Sequence, residues 1–459
     1  MSFQGGALIV IACAVATLSL RAQETGVPAQ NAAPAALPNG LQVRAVSAYA
    51  NYESTFLPNG GAGFQAAANL PADVGLGGSI AIEWTKFTER SSVSLDYTPS
   101  YTGYIRNSNL NALNHALSLT VSRKIAPRWT FSFSAAGNLS SLEESLFSPT
   151  TLSNVASAPS TFNDLAAGML SSKFANNPQL GAIFTASPLV QSPVANLIYG
   201  QRMFTASTYA SLAYSYSPRL SLIFTGGGAR TQYISGDQAL ATSNNYLISN
   251  TTSGNASFGF SYSLSPIMQF GGSVSTNRVS SSLYDGYTTT SIVTLGRTLG
   301  MRWVMQAHGG VGFTNSLYQT GVGPTMPAQP GPVIGGSLAY KTLSQTFLGS
   351  YDRTVSDSYG LGTATNSSAI GSWHWRHPGN SWWLDCSFSW QQLQGGILAN
   401  TSGWRTTVGL TRAIGTHVVL ITQYVYLDYS GGLQAAAYHT SQSAVRVSIA
   451  WTPRPATLQ

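Results

Sequence analysis

The chain has 459 residues; Lys and Arg contribute 22 and Asp and Glu 15, so only 8% is charged and the formal net charge is +7. A soluble domain carries about 25% charged residues to keep its surface in water, which excludes an ordinary cytosolic enzyme, and past the N-terminus no apolar run reaches the roughly 18–20 residues of a helical membrane span. With 43% hydrophobic and 11% aromatic residues the chain is too rich in core formers for disorder.

The run Ala7–Leu20 is uncharged and is followed by Arg21-Ala22-Gln23. Its length suits the apolar region of a secretory signal, so residues 1–22 are expected to be a signal peptide cut after Ala22. Cys13 leaves with it, Cys386 is then alone, and no intrachain disulfide is expected. Residues 23–41 are rich in Ala, Pro and Asn and read as a flexible N-terminal segment.

From residue 42 to 452 apolar and small polar residues alternate, the signature of strands with two unlike faces. Leu117, Leu119 and Val121 alternate with Ala116, Ser118, Thr120 and Ser122, and Trp129, Phe131 and Phe133 with Thr130, Ser132 and Ser134. Phe258, Phe260, Tyr262 and Leu264 oppose Ser257, Gly259, Ser261 and Ser263. Trp382, Leu384, Cys386, Phe388 and Trp390 oppose Trp383, Asp385, Ser387 and Ser389; Val445, Val447, Ile449 and Trp451 oppose Ala444, Arg446, Ser448 and Ala450. A soluble sheet would show Lys, Glu and Arg on its wet face. Here that face carries Ser, Thr, Gly and Asn, as a sheet lining an enclosed lumen would.

Short turns recur at Phe87–Arg90, Ile125–Arg128, Ser217–Arg219, Ser265–Pro266, Leu299–Gly300, Thr342–Ser344, His377–Asn380 and Ala413–Gly415, with longer connections between them. Tight turns at one end and long loops at the other describe a bacterial outer-membrane barrel. Eight tight turns join sixteen strands; a first strand near Val43–Ser54 and a last at His439–Thr452 make eighteen. The expected fold is therefore all-β, a transmembrane antiparallel up-and-down β-barrel of about 18 strands, with 16 as the alternative because the first strand is the least clearly patterned. Trp129, Trp303, Trp373, Trp375, Trp382, Trp383 and Trp451 lie beside tight turns and are expected to form a periplasmic-side aromatic girdle. The longest loop, 140–200, contains Thr161-Phe162-Asn163-Asp164 followed by apolar residues at helical spacing to Phe174, predicting a short amphipathic helix over or within the barrel mouth. Residues 453–459 are expected to be a C-terminal tail.

The stretch Ser94–Ser134 holds Asp96-Tyr97-Thr98-Pro99-Ser100-Tyr101, then Asn114-His115-Ala116-Leu117-Ser118-Leu119 and the turn Ala126-Pro127-Arg128-Trp129, echoed by Ser217-Pro218-Arg219. It resembles bacterial outer-membrane proteins of the β-barrel porin type, a group linked to exopolysaccharide production. The resemblance covers about 40 residues closely and the remainder only in architecture. Many barrels end on an aromatic residue that assists assembly, whereas here Trp451 is followed by Thr452–Gln459.

No nucleophile-elbow, phosphate-loop, zinc-protease or Cys-x-x-Cys pattern is present. In His374-Trp375-Arg376-His377 one His and one Arg share a strand face and His377 falls at the turn, a poor metal site. Period two places Arg302, His308, Lys341, Trp383 and Arg446 facing the lumen, with Trp383 a candidate platform for stacking sugars. Asp352, Asp357 and Asp428 read as solvated groups at strand ends or loops. No catalytic residue, cofactor or metal is expected.

Without its signal peptide the chain carries 21 − 15 = +6. The first reading is a porin-like channel passing small neutral or anionic polar solutes such as saccharides. The second is a barrel component for exopolysaccharide export or assembly, and the third a barrel hydrolase. Expected partners are outer-membrane lipids, a polar solute or polysaccharide and the barrel-assembly machinery. No nucleic acid is expected, and the outer faces are compatible with a homo-oligomer.

Overall fold

A computed structural model describes residues 40–453 apart from 55–71, 109–110, 142–201, 235–249, 266, 282–283, 301, 320–328, 343, 358–362, 378–381, 395–400 and 434–435. The expected signal peptide, the N-terminal segment up to residue 39, the helix expected within 140–200 and the tail from 454 lie outside the described residues. The first six strands are β1 (Gly40–Glu53), β2 (Asp73–Phe87), β3 (Ser91–Tyr104), β4 (Ala112–Ala126), β5 (Trp129–Ser141) and β6 (Arg202–Ser215). The next six are β7 (Leu220–Ile234), β8 (Thr251–Ser265), β9 (Met268–Ser280), β10 (Tyr284–Leu299), β11 (Trp303–Gln319) and β12 (Gln329–Lys341). The last six are β13 (Gln345–Asp357), β14 (Thr363–Arg376), β15 (Trp382–Gln394), β16 (Thr401–Ala413), β17 (Val418–Leu433) and β18 (Ala436–Trp451).

Each strand pairs antiparallel with its neighbours in sequence, and β1 pairs with β18 from Val46↔Trp451 to Glu53↔Ala444, so the eighteen-stranded sheet closes on itself. Closure leaves the sheet without a lateral edge, the condition for a β-structure in hydrocarbon, where an unpaired backbone group has no water to bond. All eight tight turns expected from the sequence join consecutive strands at one end. Three of them share one device: the hydroxyls of Thr88, Ser217 and Thr342 accept from the backbone N–H three residues on, at 3.0 Å in each case. Such side-chain closure is why Ser and Thr favour turns. Gly300 (φ +67°) and Gly415 (φ +82°) supply the left-handed backbone in two others.

The two faces divide as the alternation requires. Phe258, Tyr262 and Leu264 on β8 are exposed while Gly259 and Ser261 between them are buried. On β15 Phe388 is exposed whereas Asp385, Ser387 and Ser389 are buried. Leu76, Leu117, Val274, Val293, Phe313, Ile334 and Tyr351 extend the exposed apolar surface around the ring. At the tight-turn end outward aromatics pair across strands: Trp129 with Tyr214 and Trp303 with Tyr340, both at 4.5 Å between ring centroids, and Trp375 with Trp382 at 5.1 Å. This is the outer surface of a protein that spans a bacterial outer membrane, with the tight turns on the periplasmic side.

Two substitutions on one strand test the assignment of faces. Val293 is an exposed outward residue near the middle of β10, and Thr290 lies on the opposite face. Val293→Arg is expected to destabilise the inserted barrel by about 2–4 kcal/mol, the cost of a midplane Arg on a lipid face. Thr290→Arg is expected to cost far less. Urea unfolding in lipid vesicles reads both; equal losses would contradict the assignment.

Candidate functional site: the inner wall of the barrel

The inward residues are mostly Ser, Thr, Asn, Gln and Gly, with charged groups held in a few compensated clusters. The clearest lies near the periplasmic end of β1–β3. A β-bulge between Val43 and Ala45 turns Arg44 inward. Its Nε lies 3.3 Å from Glu83 Oε2 and its Nη1 3.3 Å from Asp96 Oδ1, while Gln42 Nε2 donates to Glu83 at 2.9 Å. One guanidinium thus bridges two carboxylates on adjacent strands.

At the extracellular end of the closing seam, Glu53 is fully buried. Its carboxylate accepts from Asn51 Nδ2 at 2.8 Å, from the Tyr104 hydroxyl at 2.7 Å and from Gln442 Nε2 at 3.5 Å, linking β1 to β3 and β18. Below it the Arg446 guanidinium stacks over the Tyr49 ring, 4.3 Å from its centroid, and the Tyr49 hydroxyl bonds Thr102 Oγ1 at 2.7 Å. Asp73, at the top of β2, accepts from the backbone N–H groups of Val74, Arg106 and Asn107 and so caps the β3–β4 connection.

Two inward histidines are each paired with a carboxylate. His308 on β11 reaches across β12 to Asp352 on β13, with Nε2 and Oδ1 3.3 Å apart. The residue between them in register is Gly335, where an added Cβ would collide with the His308 ring. Glycine therefore makes this crossing geometrically available. His374 Nδ1 lies 2.5 Å from Asp385 Oδ1 on the neighbouring strand. No serine hydroxyl bonds either imidazole, and no group of three metal-ligating side chains occurs, among the described residues.

The five candidate lumen residues fall in different places. Arg446 and His308 face inward within the clusters just described. Trp383 also faces inward and packs against an apolar patch formed by Ala45, Ala81, Val419, Ile421 and Ala450 at the periplasmic end. Lys341 is the last residue of β12, in register with Thr346. Arg302 lies in the β10–β11 turn and is exposed, because the alternation stops at Leu299 and resumes only at Trp303. Asp352, expected at a strand end, sits within β13 on the inner wall; Asp428 is inside β17, 3.3 Å from the exposed His439. Parity puts Glu83, between Ile82 and Trp84, and Asp96, between Leu95 and Tyr97, on the wall, but nothing local in the sequence shows that Arg44 joins them or which groups Glu53 meets. A bulge, and bonds spanning 41–389 residues, leave no signal among near neighbours.

The charges of the wall nearly balance. Among the described residues, carboxylates of Glu53, Asp73, Glu83, Asp96, Asp352 and Asp385 face inward together with Arg44, Arg376, Arg405 and Arg446, Arg376 being in register with the inward Trp383 and the backbone of Lys341 with the inward Thr346. The net positive charge of the chain is therefore not, among the described residues, a charge of the inner wall.

No family model and no curated protein matches the chain. Among solved structures, Acinetobacter baumannii OccAB4 aligns with a TM-score of 0.42 at 10% identity, over 91% of this chain and 99% of that one. Pseudomonas aeruginosa OpdO gives 0.42 at 10%, over 89% and 96%, and Pseudomonas aeruginosa OccK9 (OpdG) gives 0.43 at 9%, over 90% and 98%. Likenesses of this size leave the chain's own geometry to support its function.

The Glu53 cluster can be tested by stability. Glu53→Ala leaves the Tyr104 and Asn51 donors without their shared acceptor and is expected to cost about 2–3 kcal/mol. Unfolding in detergent micelles measures it. A loss no greater than that of an exposed change such as Thr276→Ala would show that the seam does not depend on this carboxylate.

Proposed function

We propose that the chain is a passive outer-membrane channel for small, uncharged polar solutes, saccharides among them. One observation carries the reading: a closed ring of eighteen strands whose inner wall is hydroxyl- and amide-rich and whose charges nearly cancel. Barrels of 16–18 strands are wide enough to leave an aqueous passage, whereas eight strands fill with side chains. A wall with so little net charge sets little electrostatic preference, so solutes are sorted by size and hydrogen bonding. The net positive charge of the sequence suggested anions as well; with that charge off the wall, neutral solutes fit better.

Trp383 gives the saccharide reading a specific contact. Its ring is backed by apolar side chains on one side and is only partly buried, and an indole held this way presents a flat apolar face to a passing pyranose. The same uncharged wall suits a glycan chain moving outward, which keeps exopolysaccharide export as a second reading alongside the resemblance at Ser94–Ser134. A hydrolase lacks support: each His–Asp pair orients an imidazole, but neither imidazole meets a serine nucleophile among the described residues.

Refolded protein in planar bilayers is expected to show discrete conductance steps, with a reversal potential near zero in a salt gradient at an ionic strength where screening acts within about 8 Å. Absence of steps, or a strong preference for either ion, would overturn the channel reading or its neutrality. Maltohexaose added to a conducting channel is expected to cause brief blocks that Trp383→Ala shortens roughly tenfold, one stacked aromatic face being worth about that factor. Unchanged block times would remove Trp383 as a contact and leave the channel standing.

A further inference from the structure

Among the described residues, most of the exposed positive charge is gathered at the periplasmic rim, with Arg106, Arg230 and Arg278 toward the other end. Lys86, Arg90, Arg123, Lys124, Arg128, Arg219, Arg297, Arg302 and Arg412 are all exposed and all lie in, or within a few residues of, the tight turns. Glu89 is the one exposed acidic residue at that end among the described residues.

Their placement relative to the girdle is regular. Arg128 and Arg302 immediately precede the outward Trp129 and Trp303, and Arg412 is in register with Trp382. Lys86 follows Trp84 by two residues on the same strand face. Indole rings settle at the boundary between hydrocarbon and headgroups. A residue one or two positions further toward the turn stands roughly 3–7 Å below that boundary, the level of lipid phosphates, and the long stems of Arg and Lys extend along it.

We propose that this rim is a binding surface for anionic phospholipid headgroups of the periplasmic leaflet, with the turn arginines Arg128, Arg219 and Arg302 as principal contacts. The partner follows from charge complementarity and from continuity with the girdle: a guanidinium offers a planar fork of donors to phosphate oxygens. A ring of such contacts around one mouth also fixes the depth of the barrel in the bilayer. The proposal does not depend on the channel reading.

The test uses the full chain reconstituted in vesicles containing equal amounts of phosphatidylglycerol and phosphatidylcholine, then released gently and weighed by native mass spectrometry. The wild type is expected to retain phosphatidylglycerol several-fold over phosphatidylcholine, with added salt reducing the preference. The Arg128→Gln/Arg219→Gln/Arg302→Gln variant is expected to lose most of it while keeping the sheet spectrum and heat-modifiable migration of a folded barrel. Equal retention of both lipids by the wild type would overturn the proposal and point instead to an acidic periplasmic partner. Undiminished preference in the variant would overturn the assigned contacts. Should the triple variant not fold, the single variants and the salt dependence of the wild type decide the same question.

Discussion

The whole molecule depends on the pairing of β1 with β18. A strand in hydrocarbon cannot leave N–H and C=O groups to solvent, so the first and last strands must find each other across almost the full length of the chain. That single junction turns seventeen local hairpin-like pairings into a ring and makes one face an exterior and the other an interior. It is also where the best-connected buried polar groups gather. Glu53, Asn51, Tyr49 and Arg446 lie on the two seam strands and tie them to β3 through Tyr104 and Thr102. A seam that forms between sequence-distant strands gains most from side-chain bonds, because the chain entropy given up there exceeds that of a hairpin.

Once the ring is closed, each inward position faces a different problem from its outward neighbour. Outward side chains need only be apolar at mid-height and aromatic near the boundaries, a demand met by many residues in many orders. Inward charges must be paired or solvated, and unpaired buried charges are costly. Arg44 between Glu83 and Asp96 and the two His–Asp pairs follow the pairing rule. Such pairs are weak evidence for stability in themselves. They do hold the wall near neutrality, which bears directly on what can pass.

Much of this architecture was legible in the sequence because period two and tight turns are local signals. The eight turns, the eighteen strands and the outward aromatics of β5, β8 and β15 needed nothing beyond neighbouring residues. The inner wall was legible only in kind. Its uncharged polar character shows in the alternation, and simple parity along β11, β15 and β18 puts His308, Trp383 and Arg446 on that face. Counting fails wherever the register slips: Arg302 sits in a turn that interrupts the alternation, and Arg44 points inward because a bulge adds one residue to β1. The partners of the histidines were hidden for another reason. Asp352 meets His308 only because Gly335 on the intervening strand has no side chain, and barrel stagger, not sequence distance, decides which residues share a height.

The charge distribution shows why net charge alone misleads in a protein of this kind. A basic residue within the hydrocarbon zone of the outer face would be expelled or would drag water with it, and one on the inner wall would call for an acid beside it. The turns escape both constraints. They are short, so an Arg next to a girdle Trp is held within a residue or two of the headgroup boundary. Long loops could not keep such a depth. Most exposed Lys and Arg among the described residues therefore collect at the end where the connections are tightest, and a sum over the sequence adds these rim charges to the compensated interior as though they were one population. What an ion in transit meets is set by side-chain direction and height, and those are fixed by register.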